Sequence, residues 1–229
     1  MKLALTNDDG IDAPGLRTLE TVCANIGSTV TVAPSLPQSG SGHRVTIREP
    51  LRFQERGKNR YSVAGYPPDC TRLALAHFAS DADWLIAGIN QGANLGVDTY
   101  MSGTAAAARE AAIQGRPAIA ISQYIGKDKE LDWELTASRT AMILAEILSK
   151  PVPEKAFWNI NIPNPDNDTI DLEVVYCRID PSPHAITYEL EGDSFIYQDD
   201  YHSRARRAGR DIDVCMGGRI SVTEVALDP

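Results

Sequence analysis

The chain has 229 residues, of which 43% are hydrophobic and 23% are charged. This length and composition predict one large globular domain with a full core and argue against a disordered chain. The formal net charge of -9 argues against sequence-independent binding to a nucleic-acid backbone, which requires a basic face. No apolar run reaches the length of a membrane span, and the first residues lack the pattern of a secretory signal. We therefore expect a cytoplasmic protein with neither nucleic-acid nor membrane partners.

The four cysteines are widely spaced and include no Cys-x-x-Cys pair. That spacing indicates neither a zinc knuckle nor a disulfide scaffold. We expect reduced thiols at all four positions, which are Cys23, Cys70, Cys177 and Cys215.

Strand and helix signals alternate from the start of the chain. Lys2–Thr6 is short and apolar, as in a buried parallel strand, and Pro14 opens a segment whose apolar residues recur at helical spacing. Ser28–Pro34 is rich in β-branched residues and predicts the next strand. Residues 51–54 and Arg60–Val63 flank the turn sequence ERGKN and predict a β-hairpin.

The alternation continues through the middle of the chain. Prolines at helix starts, an alanine-rich stretch and apolar residues at helical spacing predict helices, and compact apolar runs predict strands. The predicted elements are a helix from Pro67, a strand at 83–90, a helix at 104–114, a strand at 117–122, a helix carrying Ala137 and Leu148, and a strand in AFWNINIP. Parallel neighbours need a crossover connection, and helices of this length supply it.

These elements predict an α/β protein with a Rossmann-like, mostly parallel sheet flanked by helices. After about Pro165 the sequence changes to short polar and β-rich pieces without a comparable helix. We interpret residues 1–165 as the core sheet that carries the site, and residues 166–229 as a β-rich extension within a single domain. Apolar residues stand beside an arginine-rich run within 195–210, which predicts a protruding arm for self-association, with a solvated hairpin as the alternative.

Loops rich in glycine and small polar residues follow four of the predicted strands. They begin after Thr6, Pro34, Gly88 and Ser122. The first three carry NDDG, SLPQSGSGH and INQGANLG, and the third runs on to MSGT. In an open parallel sheet, ligands bind at the carboxyl ends of the strands, where such loops converge. We expect the binding site at this edge.

The chemistry of these loops indicates a cation beside an anion. Adjacent carboxylates at Asp8 and Asp9 repel each other, which raises one pKa unless a cation lies between them. Carboxylates with amide and hydroxyl oxygens suit Mg²⁺, Mn²⁺ or Ca²⁺ rather than Zn²⁺. MSGT leads into a helix whose N-terminal amides can hold a phosphate, so the set points to phosphoester chemistry. Taken singly, each stretch also fits an ordinary turn or a helix cap.

The order of these stretches is more specific than any one of them. TNDDG, APG, TVAP, QSG, PPDC, LALA, GIN, GANLG, SGT and AIAIS follow one another within residues 1–122, and NINIP and GGRISVT come later. This ordered set resembles the SurE family of metal-dependent nucleotidases. The resemblance implies hydrolysis of nucleoside monophosphates at the 5′ and often the 3′ position, with short polyphosphates as substrates of some members.

The resemblance also implies roles for individual residues. It aligns four oxygen-bearing side chains with the ligands of one divalent cation, which would be Mg²⁺ or Mn²⁺, or Ca²⁺ in crystals; these are Asp8, Asp9, Ser39 and Asn90. It aligns a second set with the phosphate cradle, namely Gly40, Asn94, Ser102, Gly103 and Thr104, while Asn7 would support the di-aspartate loop. The cation would lower the pKa of a bound water, and one of the two aspartates would orient that water or take its proton.

Three positions depart from the family pattern, namely Ser35 after VAP, Ala87 in AGIN and Tyr66 in GYPPDC. Tyr66 would reshape the pocket rim near the base. The chain also ends soon after ISVTEV, without the long C-terminal segment of many relatives. These departures bear on substrate preference and on assembly, which we expect to be a homodimer or homotetramer.

Two other classes of enzyme would carry different residues in the first loop. A phosphatase with an aspartyl nucleophile would carry carboxylates two positions apart, whereas Asp8 and Asp9 are adjacent. A dinucleotide-dependent oxidoreductase would carry Gly-x-Gly-x-x-Gly directly after the first strand, and TNDDGIDAPG lacks it. A non-catalytic, metal-dependent nucleotide-binding stress protein would keep the same pocket without turnover, and the sequence leaves that alternative open.

Overall fold

The computed structural model describes residues 1–166, 169–184, 186–198 and 201–228. The strands are β1 (Lys2–Thr6), β2 (Ser28–Pro34), β3 (Phe53–Gly57), β4 (Arg60–Val63), β5 (Trp84–Gln91), β6 (Ala118–Gln123), β7 (Ala156–Ile162), β8 (Val174–Tyr176), β9 (Thr187–Glu191), β10 (Ser194–Gln198) and β11 (Ile220–Ala226). The α-helices are α1 (Pro14–Ala24), α2 (Pro67–Leu73), α3 (Gly103–Ile113), α4 (Trp133–Ile147) and α5 (Asp211–Met216). A π-helical turn (Ala74–Phe78) extends α2, and a 3₁₀ helix (Gly96–Tyr100) precedes α3.

The central sheet has the strand order β3-β4-β2-β1-β5-β6-β7-β11-β8. The neighbours from β4 through β2, β1, β5 and β6 to β7 are parallel. The two edges depart from that direction, since β3 is antiparallel to β4 and β11 is antiparallel to β7. A mostly parallel, Rossmann-like α/β sheet is therefore confirmed, and β1 lies near its middle.

Two helical layers cover the two faces of this sheet. Leu3 and Leu5 of β1 belong to one core cluster with apolar residues of α1 and α4, whereas Ala4 between them belongs to the cluster formed with α2 and α3. This alternation follows from the strand period of two. The alanines of α3 allow it to pack closely against the sheet, and Ala105 and Ala108 are fully buried. Burial on both faces explains why the central strands read as continuous apolar runs.

The β3–β4 hairpin is tighter than the sequence predicts. The expected strand at 51–54 is displaced, because β3 runs from Phe53 through Gly57 before the chain turns. Asn59 adopts a left-handed φ of 55°, which closes the turn within two residues. The predicted five-residue turn ERGKN is therefore wrong, because its first three residues belong to β3. The pairing register of β3 with β4 shifts between Glu55 and Gly57.

The C-terminal part of the chain contributes both to the main sheet and to a separate ribbon. Strands β8 and β11 extend the central sheet beyond β7. Among the residues that the structure describes, strands β9 and β10 pair with each other only, and every residue in them is exposed. Asp199 and Asp200, which belong to the predicted arm, lie outside the described residues. Within the described part of the chain, no helix combines the length and apolar character needed to cross a bilayer.

Candidate active site

Asp8 lies two residues beyond the end of β1 and against the first turn of α3. Its side chain accepts a hydrogen bond from the Thr104 hydroxyl, with 2.5 Å between Oγ1 and Oδ1, and the residue is only 4% exposed. A Cβ atom at Gly103 would lie 2.8 Å from the Asp8 Cβ and 2.9 Å from its Oδ2. Only glycine permits this approach. The start of α3 and the loop after β1 are thereby held together.

The environment raises the pKa of both carboxylates in this loop. Burial raises the pKa of Asp8 to about 6, with a further contribution from the charge of Asp9, although the Thr104 hydrogen bond partly opposes the rise. Burial also raises the pKa of Asp9, whose Oδ2 accepts a hydrogen bond from the Gln91 backbone N–H at 3.1 Å. A cation between the two carboxylates would offset both effects.

The loop after β2, which carries Ser39, is hydrogen-bonded through its backbone to the loop after β1 and to the residue before Ser102. The Gln38 N–H donates to the Asp8 carbonyl at 2.7 Å, and the Gly42 N–H donates to the Met101 carbonyl at 3.0 Å. Ser39 and Gly40 lie between these two anchors, and both residues are exposed. The structure therefore carries Ser39, an exposed residue, to the same edge as Asp8.

The third loop supplies Asn90 at the end of β5. Its amide nitrogen donates to the Gly92 carbonyl at 2.7 Å, which fixes the amide plane and turns the amide oxygen away from Gly92. The neighbouring Gln91 N–H makes the bond to Asp9 described above. Asn90 therefore stands one residue from a direct contact with the di-aspartate loop.

Asn94 is held by two asparagines that sequence reasoning did not assign to the site. The Asn94 N–H donates to Asn161 Oδ1 at 2.8 Å, and its carbonyl accepts from Asn159 Nδ2 at 2.9 Å and from Asn161 Nδ2 at 3.2 Å. Its own amide nitrogen donates to Ser122 Oγ at 2.8 Å, which leaves one amide hydrogen for another acceptor. Asn159 and Asn161 alternate along β7 in NINIP, and that spacing on one strand face was the available signal.

Two further residues named from the sequence have structural partners. Ser102 is the N-cap of α3, because its Oγ accepts from the Ala105 N–H at 3.0 Å. The Asn7 amide nitrogen donates to the Gly10 carbonyl at 2.9 Å and so spans the two aspartates. Asn7 Oδ1 is buried and has no hydrogen-bond donor among the described residues.

The donors at this edge suit a hard divalent cation. The described residues contain no cluster of three or more His, Cys, Asp or Glu side chains that could hold a metal. A cation here would have to be held by carboxylate, hydroxyl and amide oxygens together, as Mg²⁺, Mn²⁺ and Ca²⁺ prefer. Asp8, Asp9, Ser39 and Asn90 provide such a set. Asn7 directly precedes Asp8, and its buried Oδ1 has no hydrogen-bond donor in the described part of the chain.

The fold and this edge define an α/β protein with a di-aspartate site at the carboxyl end of its first strand. A family model described as survival protein SurE matches residues 3–182. A protein from Synechocystis sp. (strain ATCC 27184 / PCC 6803 / Kazusa), provisionally named a 5′-nucleotidase, is 43% identical over 227 residues, which cover 99% of this chain and 100% of that protein. The 5′-nucleotidase SurE of Legionella pneumophila is 34% identical over 232 residues, covering 100% of this chain and 92% of the relative.

A solved structure gives the same result. The crystal structure of the SurE protein from Aquifex aeolicus superposes with a TM-score of 0.86 at 30% sequence identity, covering 100% of this chain and 94% of that one. The chain belongs to the SurE family, and the resemblance drawn from its motifs is confirmed.

Proposed function

We propose that this protein is a divalent-metal-dependent phosphatase that hydrolyses nucleoside monophosphates, acting as a 5′-nucleotidase. The observation that carries the proposal is the contact between the Asp8 carboxylate and the first turn of α3 at Gly103 and Thr104. This contact sets a carboxylate donor for a cation beside a helix N-terminus, which favours phosphate oxygens. Relatives named 5′-nucleotidase SurE support the same activity.

The four proposed ligands would hold one Mg²⁺ or Mn²⁺ ion through their oxygens. When bound, such an ion supplies Lewis-acid stabilisation of phosphate charge and lowers the pKa of a coordinated water. Thr104 holds the Asp8 carboxylate in one orientation, and the Gln91 N–H does the same for Asp9. Asn90 is oriented by its bond to Gly92.

In this proposal, Asp9 rather than Asp8 takes the proton of the water. Asp8 is 4% exposed and its Oδ1 is occupied by Thr104, whereas Asp9 is only partly buried and water can reach it. Burial raises the pKa of Asp9, which makes its carboxylate a better base than an ordinary aspartate. The Gly103 backbone N–H at the start of α3 and the second amide hydrogen of Asn94 would stabilise the phosphate oxygens, since the Ala105 N–H is bonded to Ser102.

The same site would also accept the wider range of substrates that the resemblance implies. A cradle that recognises a terminal phosphate does not require a particular attachment to the sugar, so 3′-nucleotides and short polyphosphates are included as further substrates. Asn7 would keep the di-aspartate loop in shape, and the exposed Gly40 would border the phosphate.

Self-association through the β9–β10 ribbon is part of the proposal. Tyr188 pairs with Tyr197 and Leu190 with Phe195, so these four side chains share one face of the ribbon. They are between 48% and 71% exposed. An exposed apolar face of this kind, on a ribbon separate from the main sheet, suits burial against a second copy in a homodimer or homotetramer.

Phosphate release from a panel of nucleoside monophosphates tests the activity. We expect turnover of 5′-monophosphates in Mg²⁺ or Mn²⁺ and its loss in EDTA. The competing function is a metal-dependent nucleotide-binding stress protein without turnover. Calorimetric binding of AMP without phosphate release would favour that alternative, and neither binding nor turnover would contradict both.

A further inference from the structure

The loop of residues 38–43, which carries Ser39, is held near its two ends rather than by packing along its length. Its backbone is hydrogen-bonded through the N–H groups of Gln38 and Gly42, as described above. Ser39 and Gly40 between these bonds are exposed, and a Cβ atom at Gly40 would have no described atom within 4 Å apart from its chain neighbours. The position of Ser39 therefore depends on how firmly the two ends of the loop are fixed.

The side chain of His43 adds a further anchor at the end of this loop. Its Nε2 lies 2.9 Å from Glu110 Oε2, and its Nδ1 lies 3.5 Å from Arg109 Nη1. Because an arginine side chain only donates, Nδ1 accepts and the ring hydrogen lies on Nε2, where the Glu110 carboxylate accepts it. A neutral histidine thus has a partner on both ring nitrogens, and both partners belong to α3.

Glu110 is the fixed member of its pair with His43. The side chain of Glu110 is 3% exposed, against 27% for that of His43. Glu110 Oε1 accepts hydrogen bonds from Arg72 Nε at 2.8 Å and from Gln114 Nε2 at 2.9 Å. These bonds orient the carboxylate without help from His43, so the contact restrains the loop rather than the helix.

Helix α3 therefore holds two of the proposed metal ligands. Its first turn contacts Asp8 through Gly103 and Thr104, and Glu110 lies further along the same helix. The six residues from Thr104 to Glu110 span about 9 Å of α-helix. Because both contacts are made to one rigid element, the loop that carries Ser39 is placed relative to Asp8 before any cation binds.

We infer that His43 is a positioning residue, which presents Ser39 to the divalent cation. This inference rests on the proposed function and adds a residue that the resemblance did not assign. A ligand on an unrestrained loop would lose conformational entropy when a cation binds, and that loss weakens binding. His43 restrains the loop during folding, so less entropy is lost on binding. His43 is not one of the four proposed ligands and acts through Ser39.

Calorimetric titration with Mn²⁺ tests this role without requiring hydrolysis. We expect His43→Ala to bind Mn²⁺ about tenfold more weakly than wild type, at the lower end of the usual effect of losing a group that supports a metal ligand. His43→Gln keeps an N–H donor for Glu110 and should bind more tightly than His43→Ala. His77→Ala removes an exposed histidine elsewhere and should bind as wild type does. Equal affinities of His43→Ala and wild type would overturn the inference.

A double-mutant cycle separates positioning of Ser39 from a general structural effect. If His43 acts through Ser39, His43→Ala should weaken Mn²⁺ binding no further in a Ser39→Ala background. Additive losses would contradict the inference, because they would show that His43 acts elsewhere. In EDTA, His43→Ala should also speed hydrogen exchange of the Gly42 amide, which donates to the Met101 carbonyl. An unchanged exchange rate would count against the anchor.

The Mn²⁺ titration also distinguishes this inference from the proposed activity. The expected difference in affinity without phosphate release from AMP would overturn only the activity. A wild-type protein that binds no Mn²⁺ would overturn both.

Discussion

The Thr104 hydroxyl donates to the Asp8 carboxylate across a separation of 96 residues, with 2.5 Å between the two oxygen atoms. The bond joins the loop after β1 to the first turn of α3. It holds one carboxylate oxygen in a fixed direction, and the packing of Gly103 limits movement of the other. Thr104 thereby acts as a positioning residue for Asp8.

Replacing Thr104 tests that role. We expect Thr104→Val, which keeps the shape but removes the hydroxyl, to lower kcat/KM for AMP and Mn²⁺ affinity by about 10- to 100-fold, as is usual when a partner of a metal ligand is lost. Thr104→Ser retains the donor and should stay near wild type. Calorimetric titration with Mn²⁺ measures the affinity directly. Wild-type Mn²⁺ affinity in Thr104→Val would show that Thr104 does not position Asp8.

Removing either carboxylate should lower the activity without lowering the stability of the metal-free protein. We expect Asp8→Asn and Asp9→Asn to lose at least about 100-fold in phosphate release from AMP, because each deletes a charged donor. In EDTA, both variants should melt no lower than wild type, since they relieve the repulsion between adjacent carboxylates. Full activity in both variants would contradict the site.

The difference in stability between wild type and Asp8→Asn in EDTA should depend on pH. The pKa of Asp8 is raised to about 6 in the folded protein, so the folded state binds this proton more tightly than the unfolded chain does. The contribution of Asp8 to stability is therefore complete below its ordinary pKa of 3.8 and is lost as the pH rises through about 6. In EDTA, Asp8→Asn should gain stability relative to wild type over that interval. Parallel stability–pH curves for the two proteins would contradict this.

Glu110 should contribute to stability with the opposite pH dependence from Asp8. Burial raises its pKa, but hydrogen bonds from His43, Arg72 and Gln114 outweigh that effect and lower the pKa to about 2. Its contribution is present above the ordinary pKa of 4.5 and is lost as the pH falls toward 2. We expect the loss of stability across this interval to be larger in wild type than in Glu110→Gln, by on the order of 3 kcal/mol. Urea unfolding at several pH values measures both, and equal losses would rule out this role.

Asn161 should matter more to the loop of Asn94 than Asn159 does. Asn161→Ala leaves the buried Asn94 N–H without its acceptor, which costs roughly 1–3 kcal/mol, whereas Asn159→Ala leaves the carbonyl of Asn94 still bonded to Asn161. We expect Asn161→Ala to destabilise the protein more and to raise KM for AMP more. Thermal melts and initial rates on both variants check this, and the reverse order would contradict it.

The apolar face of the β9–β10 ribbon should control assembly. Leu190 and Phe195 lie opposite each other on that face, and both are exposed. We expect a dimeric or tetrameric mass for wild type by light scattering at micromolar concentration, and a monomeric mass for Leu190→Glu/Phe195→Glu. Glu189→Gln, on the other face, is the matched control. A monomeric wild-type protein would remove the claim.

The local features of the core were predictable because they follow from periodicity. The bounds of β1 and β2 agree with the sequence pattern, since both strands are continuous apolar or β-branched runs. The glycine-rich loops lie at one edge because parallel strands end together there, but β5 and β6 continue to Gln91 and Gln123, beyond the predicted loop starts at Gly88 and Ser122. The hairpin boundary was wrong, because it depends on the left-handed Asn59 rather than on any repeating pattern.

Hydrogen bonds between residues far apart in the sequence could not be predicted from local sequence patterns. Asn94 and Asn161 are 67 residues apart, and nothing local to either residue identifies the other. The same holds for Thr46 and Asp69, whose carboxylate accepts hydrogen bonds from the Thr46 N–H and hydroxyl, both at 2.8 Å. Strand β11 joins the core sheet antiparallel to β7, although its sequence suggested only a β-rich extension. Such contacts depend on tertiary packing, which sequence patterns do not specify.

The central claim is that Asp8, Asp9, Ser39 and Asn90 share one hard cation at the carboxyl edge of the sheet. Anomalous diffraction from crystals soaked in Mn²⁺ tests it most directly. We predict one anomalous peak at this edge, with an oxygen of each of the four side chains at roughly 2.0 to 2.6 Å. Absence of a peak there at saturating Mn²⁺, or a peak whose ligands include neither aspartate, would contradict the account.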